Sequence, residues 1–136
     1  MNVTELQAIV DRSPFNRWLH MSVDAISDEG ITLRIPWRDE FISSPERQST
    51  HGGILATLID GAGDYAVAAA VGRATPTLNL HVDFHRVAPP SDLVVNARVV
   101  HAGRSVATAE AQVFDHAGRM VASGRGLYFV GTPAAQ

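Results

Sequence analysis

The residues best suited to chemistry in this chain converge on one stretch. His51-Gly52-Gly53 heads the apolar run Ile54-Leu55-Ala56-Thr57-Leu58-Ile59, which ends on a single carboxylate, Asp60. Apolar positions continue through Ala62, Ala66, Ala68, Ala69, Ala70 and Val71. The pattern therefore predicts a helix that is apolar nearly all round and lies inside the protein. An unpaired carboxylate buried there costs several kcal/mol or shifts its pKa, and functional sites are one place where such an arrangement persists. A helix rises about 1.5 Å per residue, so Gly52 and Asp60 stand roughly 12 Å apart along one axis, too far to act on one atom. They can meet at one substrate only from two chains, which predicts a two-fold dimer with the helix start of one subunit facing Asp60 of the other. Free N–H groups and the positive end of the helix dipole suit a carbonyl oxygen that becomes an oxyanion.

Neighbouring residues admit two readings each. Asp64 lies one turn beyond Asp60 on nearly the same face, so it either lines a pocket or repels Asp60 and raises its pKa. His51 could serve as a general base, but its place before the helix favours fixing the tight Gly52-Gly53 turn by hydrogen bonds to backbone. Gly61 and Gly63 cost about 1 kcal/mol each in a helix relative to Ala, which predicts close contact with a sheet or with another helix at a dimer seam. His81, Asp83 and His85 alternate on one strand face, a row of metal-ligand types, but no second cluster completes a site; a polar sheet face or a subunit contact is expected and no metal.

The elements that position these residues follow from periodicity. Val3, Leu6, Ile9 and Val10 have helical spacing, with Asn2 or Thr4 as the cap. Strands are expected over His20 to Ile26 and Ile31 to Pro36, joined by a turn at Asp28-Glu29-Gly30. Residues Arg38 to Thr50 lack periodicity and read as a loop. After Gly72 the period becomes two: Leu78, Leu80, Val82 and Phe84 alternate with Thr77, Asn79, His81, Asp83 and His85. Three further strands follow, over Leu93 to His101, Ser105 to Phe114 and Arg119 to Val130. One long helix among six strands can bury itself only if the sheet curls around it.

With 136 residues, 46% hydrophobic and 18% charged, the chain is read as one globular domain over residues 1–136. A net charge of -3 with scattered arginines gives no support for a nucleic-acid partner. The absence of cysteine removes disulfides and thiolate chemistry. Glu5 and Asp11 interrupt the first fifteen residues, so no secretory signal is expected there and the cytoplasm is the default. Asp60, Asp64 and three glycines make Ile54 to Val71 a poor membrane span, so no membrane partner is expected.

His51-Gly52-Gly53 with Asp60 inside the helix, Thr75-Pro76-Thr77-Leu78-Asn79-Leu80, and Asp115-His116-Ala117-Gly118-Arg119-Met120-Val121-Ala122 together resemble the hotdog-fold acyl-CoA thioesterases. The resemblance is to the branch that includes phenylacetate-pathway and 4-hydroxybenzoyl-CoA thioesterases, and it covers nearly the whole chain. It implies an α+β hotdog fold, a curved antiparallel sheet wrapped around a long central helix. The implied activity is hydrolysis of a small, medium or aromatic acyl-CoA to free acid and coenzyme A, without a cofactor. It implies a homodimer as the minimal active unit, assembled as a homotetramer. Asp60 is then the nucleophile or general base, Gly52 donates its N–H to the thioester carbonyl from the partner chain, and Thr77 helps place water or the carboxylate. His51, Gly53 and Asp64 would flank the substrate. The loop position six before the histidine, often an amide in relatives, is Pro45 here, with Gln48 or Arg47 as substitutes. Arg104, ahead of Arg86 and Arg125, is the preferred ligand for coenzyme A phosphates. Phe15 and Trp18 belong either to the core or to the acyl pocket. Two other functions fit the same pattern: a hydratase or dehydratase using His51 with Asp60, and a non-catalytic acyl-CoA-binding module.

Overall fold

Asn2 opens the first helix, α1 (Val3–Val10), with a capping box: its side chain accepts from the Glu5 N–H, and Glu5 accepts from the Asn2 N–H. Ser13 then caps a short second helix, α2 (Pro14–Trp18), which the sequence reading missed although Ser followed by Pro at the first helical position is a start signal. Strands β1 (Ser22–Ser27) and β2 (Gly30–Ile35) follow as an antiparallel pair. Gly30, at φ 136°, closes their turn, as Asp28-Glu29-Gly30 predicted. The computed structural model describes residues 1–132, so the last residues of the domain expected over 1–136 lie outside the described residues.

Residues 38–50 are not the plain loop expected. Asp39–Phe41 forms a 3-10 turn, and β3 (Ile42–Ser44) pairs with β4 (Ser49–Thr50) as a small separate hairpin. Strands of three and two residues are too short to show a period, which is why the pattern is silent there. This hairpin delivers the chain to the long helix α3 (Gly52–Val71), which ends at Gly72 in the left-handed conformation, φ 81°.

Four strands complete the fold: β5 (Thr77–Phe84), β6 (Leu93–Ala102), β7 (Val106–Phe114) and β8 (Met120–Phe129). The six-stranded sheet has the order β1-β2-β6-β7-β8-β5, every neighbour antiparallel, so β5 is an edge. Leu58, Ile59, Ala62 and Ala66 of α3 are buried with Val95, Ala111, Val113 and Ala122 of the sheet. This is the expected hotdog arrangement, an antiparallel sheet around a central helix. α3 is long and apolar enough to cross a membrane by length and composition, but half of its most apolar window is buried inside the protein.

The helix rests closely on β8. A Cβ at Gly124 would lie 2.7 Å from Ile59 Cγ2, so only glycine admits the helix at that height. Gly63 approaches Tyr128 of the same chain in the same manner, whereas Gly61 has nothing nearer than 3.8 Å to a would-be Cβ. The close contact expected for the helix glycines thus holds for Gly63, within one chain, and does not explain Gly61.

Candidate active site

His51 is the N-cap of α3, and its Nδ1 accepts the Gly53 N–H at 2.8 Å. That bond exists only while Nδ1 carries no proton, and it fixes the Gly52-Gly53 turn as the sequence suggested. The His51 carbonyl accepts from Ile54, and the His51 N–H donates to Phe41 O at 2.6 Å. Gly52 N–H, the first of the helix, has no acceptor among the described residues. Phe84, at the far end of β5, lies over Gly52: a Cβ there would stand 3.3 Å from Phe84 Cε1.

Asp60 is neither fully buried nor unpaired. It is partly exposed, and its Oδ1 accepts the Thr77 hydroxyl at 2.7 Å, which corrects the isolated acid expected from the sequence. Strict alternation would point Thr77 outward with His81 and Asp83. A register shift in the β5–β8 pairing between Thr77 and Asn79 turns it to the helix face, opposite Tyr128. Tyr128 donates its hydroxyl to the Asp60 carbonyl at 3.0 Å.

Asp64 is held one turn farther on. Its Oδ1 accepts both the Thr75 N–H and the Thr75 hydroxyl, each at 2.7 Å, tying α3 to the segment that leads into β5. Burial pushes the Asp64 carboxyl above the usual carboxylate range, the Thr75 hydrogen bonds oppose the rise, and the charge of Asp60 adds to it. Burial, then the charge of Asp64, likewise raises the Tyr65 phenol, which accepts from Asn16. The two carboxylates of α3 therefore grip the first residue of β5 and the segment just before it, and that end of the sheet is the polar part of the site.

The remaining expected residues are more dispersed. Gln48, at φ 48°, donates its side-chain amide to Pro45 O at 2.7 Å, so its N–H is used within the β3–β4 turn. Arg104 is exposed in the β6–β7 turn. That turn is at the Thr77 end of the sheet, because Val106 pairs with Phe129 and Val130 N–H donates to Ser105 O. Arg104 is thus at the rim and not in contact with Asp60. Phe15 and Trp18, 47% and 40% exposed, are stacked on the surface and are not core. Trp18 packs edgewise on Phe41, the residue whose carbonyl accepts from His51, so an aromatic cluster flanks the start of α3. Phe41 and Phe84 were missed in the sequence because aromatic positions in a strand and beside a short turn look like ordinary core.

His81 pairs with Asp83 at 3.2 Å and His85 with Ser123 at 2.7 Å, on the polar sheet face. Among the described residues no group of three or more His, Asp or Glu is placed to hold a metal ion.

Comparison with known proteins agrees with this architecture. Residues 48–122, from Gln48 through β8's Ala122, match the family model described as the thioesterase superfamily. A Halobacterium salinarum protein that carries a provisional esterase name is 37% identical, over 92% of this chain and 89% of its own. The crystal structure of a thioesterase-superfamily protein matches with a TM-score of 0.93 at 56% identity, covering 94% of this chain and 97% of that one. A thioesterase structure from Haemophilus influenzae shares the fold at a TM-score of 0.83 and 16% identity, over 96% of this chain and 92% of that one.

Proposed function

Because this chain belongs to the thioesterase superfamily, we propose that it hydrolyses acyl-CoA thioesters to a free acid and coenzyme A at a site shared by two copies of the chain. The observation that carries the proposal is the geometry of β5. This edge strand holds Thr77 on Asp60 at one end and lays Phe84 over Gly52 at the other. Two such edges joined antiparallel about a two-fold bring the Asp60–Thr77 end of one copy beside the Gly52–Phe84 end of the other. Leu78, 56% exposed, and Phe84, 57% exposed, supply apolar surface along that seam. A homotetramer is the assembly we expect of such dimers.

In the composite site the free Gly52 N–H donates to the thioester carbonyl oxygen, and the helix dipole stabilises that oxygen as it gains charge. Asp60 of the facing subunit either attacks the carbonyl carbon, so that the C–S bond breaks and leaves a mixed anhydride that water then hydrolyses to the free acid, or takes a proton from the water that attacks and passes it to the thiolate as the C–S bond breaks. Thr77, by donating to Oδ1, directs the other carboxylate oxygen toward the substrate. His51 and Gly53 shape the turn, Asp64 anchors the segment beside it, and Arg104 at the rim receives a coenzyme A phosphate. Trp18, Phe15 and Phe84 around the helix start favour an aromatic acyl group, in line with the phenylacetyl and hydroxybenzoyl branch.

One observation supports a second reading, an acyl-CoA-binding module: Pro45 has no side-chain donor, and the Gln48 amide is engaged with Pro45 O. Thiol release from a panel of aromatic and aliphatic acyl-CoAs separates the two, with Asp60→Asn beside the wild type. Hydrolysis that falls by about a hundredfold or more in Asp60→Asn is the expected outcome. Tight binding without thiol release from any substrate would move the binding module to first place.

A further inference from the structure

Tyr128 is fully buried, and it is the cross-strand partner of Thr77. The two residues reach the same amino acid of α3: Thr77 donates to the Asp60 carboxylate, Tyr128 to the Asp60 backbone carbonyl. One cross-strand pair thus holds Asp60 at two points, side chain and main chain. The socket for Tyr128 is built from small residues. A Cβ at Gly63 would overlap its hydroxyl and stand 2.8 Å from Cζ, and a Cβ at Gly126 would stand 2.5 Å from Cζ. Ala107, Ala109 and Val67 complete the wall. The helix accepts a mid-helix glycine at Gly63, costing about 1 kcal/mol, so that this hydroxyl can reach the preceding turn.

We infer that Tyr128 is a positioning residue, which fixes the height and rotation of Asp60 on α3 through the Gly63–Gly126 socket. The inference rests on the role given to Asp60 above. The Tyr128 hydroxyl is enclosed in the fold and engaged with a backbone carbonyl; burial and the nearby charges of Asp60 and Asp64 raise its pKa, so it stays a donor throughout the working range. Its hydrogen bond to a carbonyl that already belongs to the helix restrains the turn from which the carboxylate projects. A displacement of that turn by a fraction of an ångström moves the carboxylate relative to a carbonyl carbon held by the other subunit, and catalysis is sensitive to such displacements.

The test measures kcat and KM for Tyr128→Phe, Gly63→Ala and the double variant, with Asp60→Asn alongside, on the best acyl-CoA of the panel. Tyr128→Phe keeps the ring and loses only the donor; kcat is expected to fall about tenfold with KM within about twofold of wild type. Gly63→Ala displaces the hydroxyl and lowers kcat comparably. The double variant is no worse than the poorer single, because both act on one hydrogen bond. Folded Tyr128→Phe and Gly63→Ala with wild-type kcat and only a lower unfolding midpoint, beside an inactive Asp60→Asn, would overturn the positioning role alone. An Asp60→Asn variant with wild-type turnover would instead overturn the role of Asp60, and the inference with it. Should Gly63→Ala fail to fold, Tyr128→Phe decides.

Discussion

Alanine in place of Gly61 and of Gly63, two residues apart on the same helix, should act in opposite directions. In a helix interior, Gly to Ala gains about 1 kcal/mol from backbone entropy and propensity. At Gly61 that gain is unopposed, since the nearest atoms to a new Cβ are Tyr65 Cε2 at 3.8 Å and Met21 Cε at 3.9 Å, ordinary contact distances. At Gly63 the Cβ would enter the Tyr128 hydroxyl. That ring cannot retreat, because Gly126 is already at contact on the other side and Ala107, Ala109 and Val67 close the socket. Overpacking of this kind costs about 1–3 kcal/mol, and displacing the hydroxyl forfeits its bond to Asp60 O, about 1 kcal/mol more. Less the propensity gain, Gly63→Ala should be destabilising by about 2 kcal/mol while Gly61→Ala is stabilising by up to about 1 kcal/mol. Urea unfolding at fixed protein concentration, followed by far-UV circular dichroism with unchanged slopes, reads both. Two shifts of the same sign would refute the socket argument, since propensity alone would then account for the pair.

Two further outcomes follow from the site. Gly52→Pro removes the helix-start N–H at the first helical position, where the backbone accepts proline once the Phe84 ring gives by a few tenths of an ångström, so Gly52→Pro and Asp60→Asn should each be nearly inactive alone. Mixed, unfolded and refolded together, they should recover about a quarter of wild-type turnover, because half the dimers are mixed and each holds one intact composite site; no recovery would refute a site shared between subunits. For Asp64, the folded protein binds the carboxyl proton more tightly than the unfolded chain does, so its contribution to stability is present below the ordinary carboxylate range and lost as pH rises through the raised pKa. Asp64→Asn keeps an acceptor for both Thr75 donors and removes this loss. Its urea midpoint should match or exceed wild type at pH 7 and lose that advantage at pH 4; a lower midpoint at pH 7 would show that Thr75 needs the charge.

Local signals explain most of what could be read directly from the residues. Apolar spacing located α1 and α3, period-two alternation located β5, and His51 before Gly52-Gly53 marked a helix start with the imidazole bonded to its own turn. α2 was missed despite its Ser13-Pro14 signal, and β3 and β4 were too short for any period to register. For the site, the identity of Asp60 was legible because a lone acid in an apolar helix is conspicuous, but its environment was not. Asp60 proved partly exposed and hydrogen-bonded, and burial raises the pKa of Asp64, the second acid.

What the sequence by itself determined, then, is the set of elements and the residues that cap and end them, because those depend on neighbours a few positions away. The tertiary structure alone decided which groups meet. Thr77 would face outward by alternation and reaches Asp60 only through a register shift against β8, whose paired residue, Tyr128, is distant in the chain. Tyr128 reaches Asp60 only because Gly63 and Gly126, on different elements, leave the same space empty. Strand register and close packing are settled by the partner across the sheet and by the volume left between layers, and no local pattern encodes either.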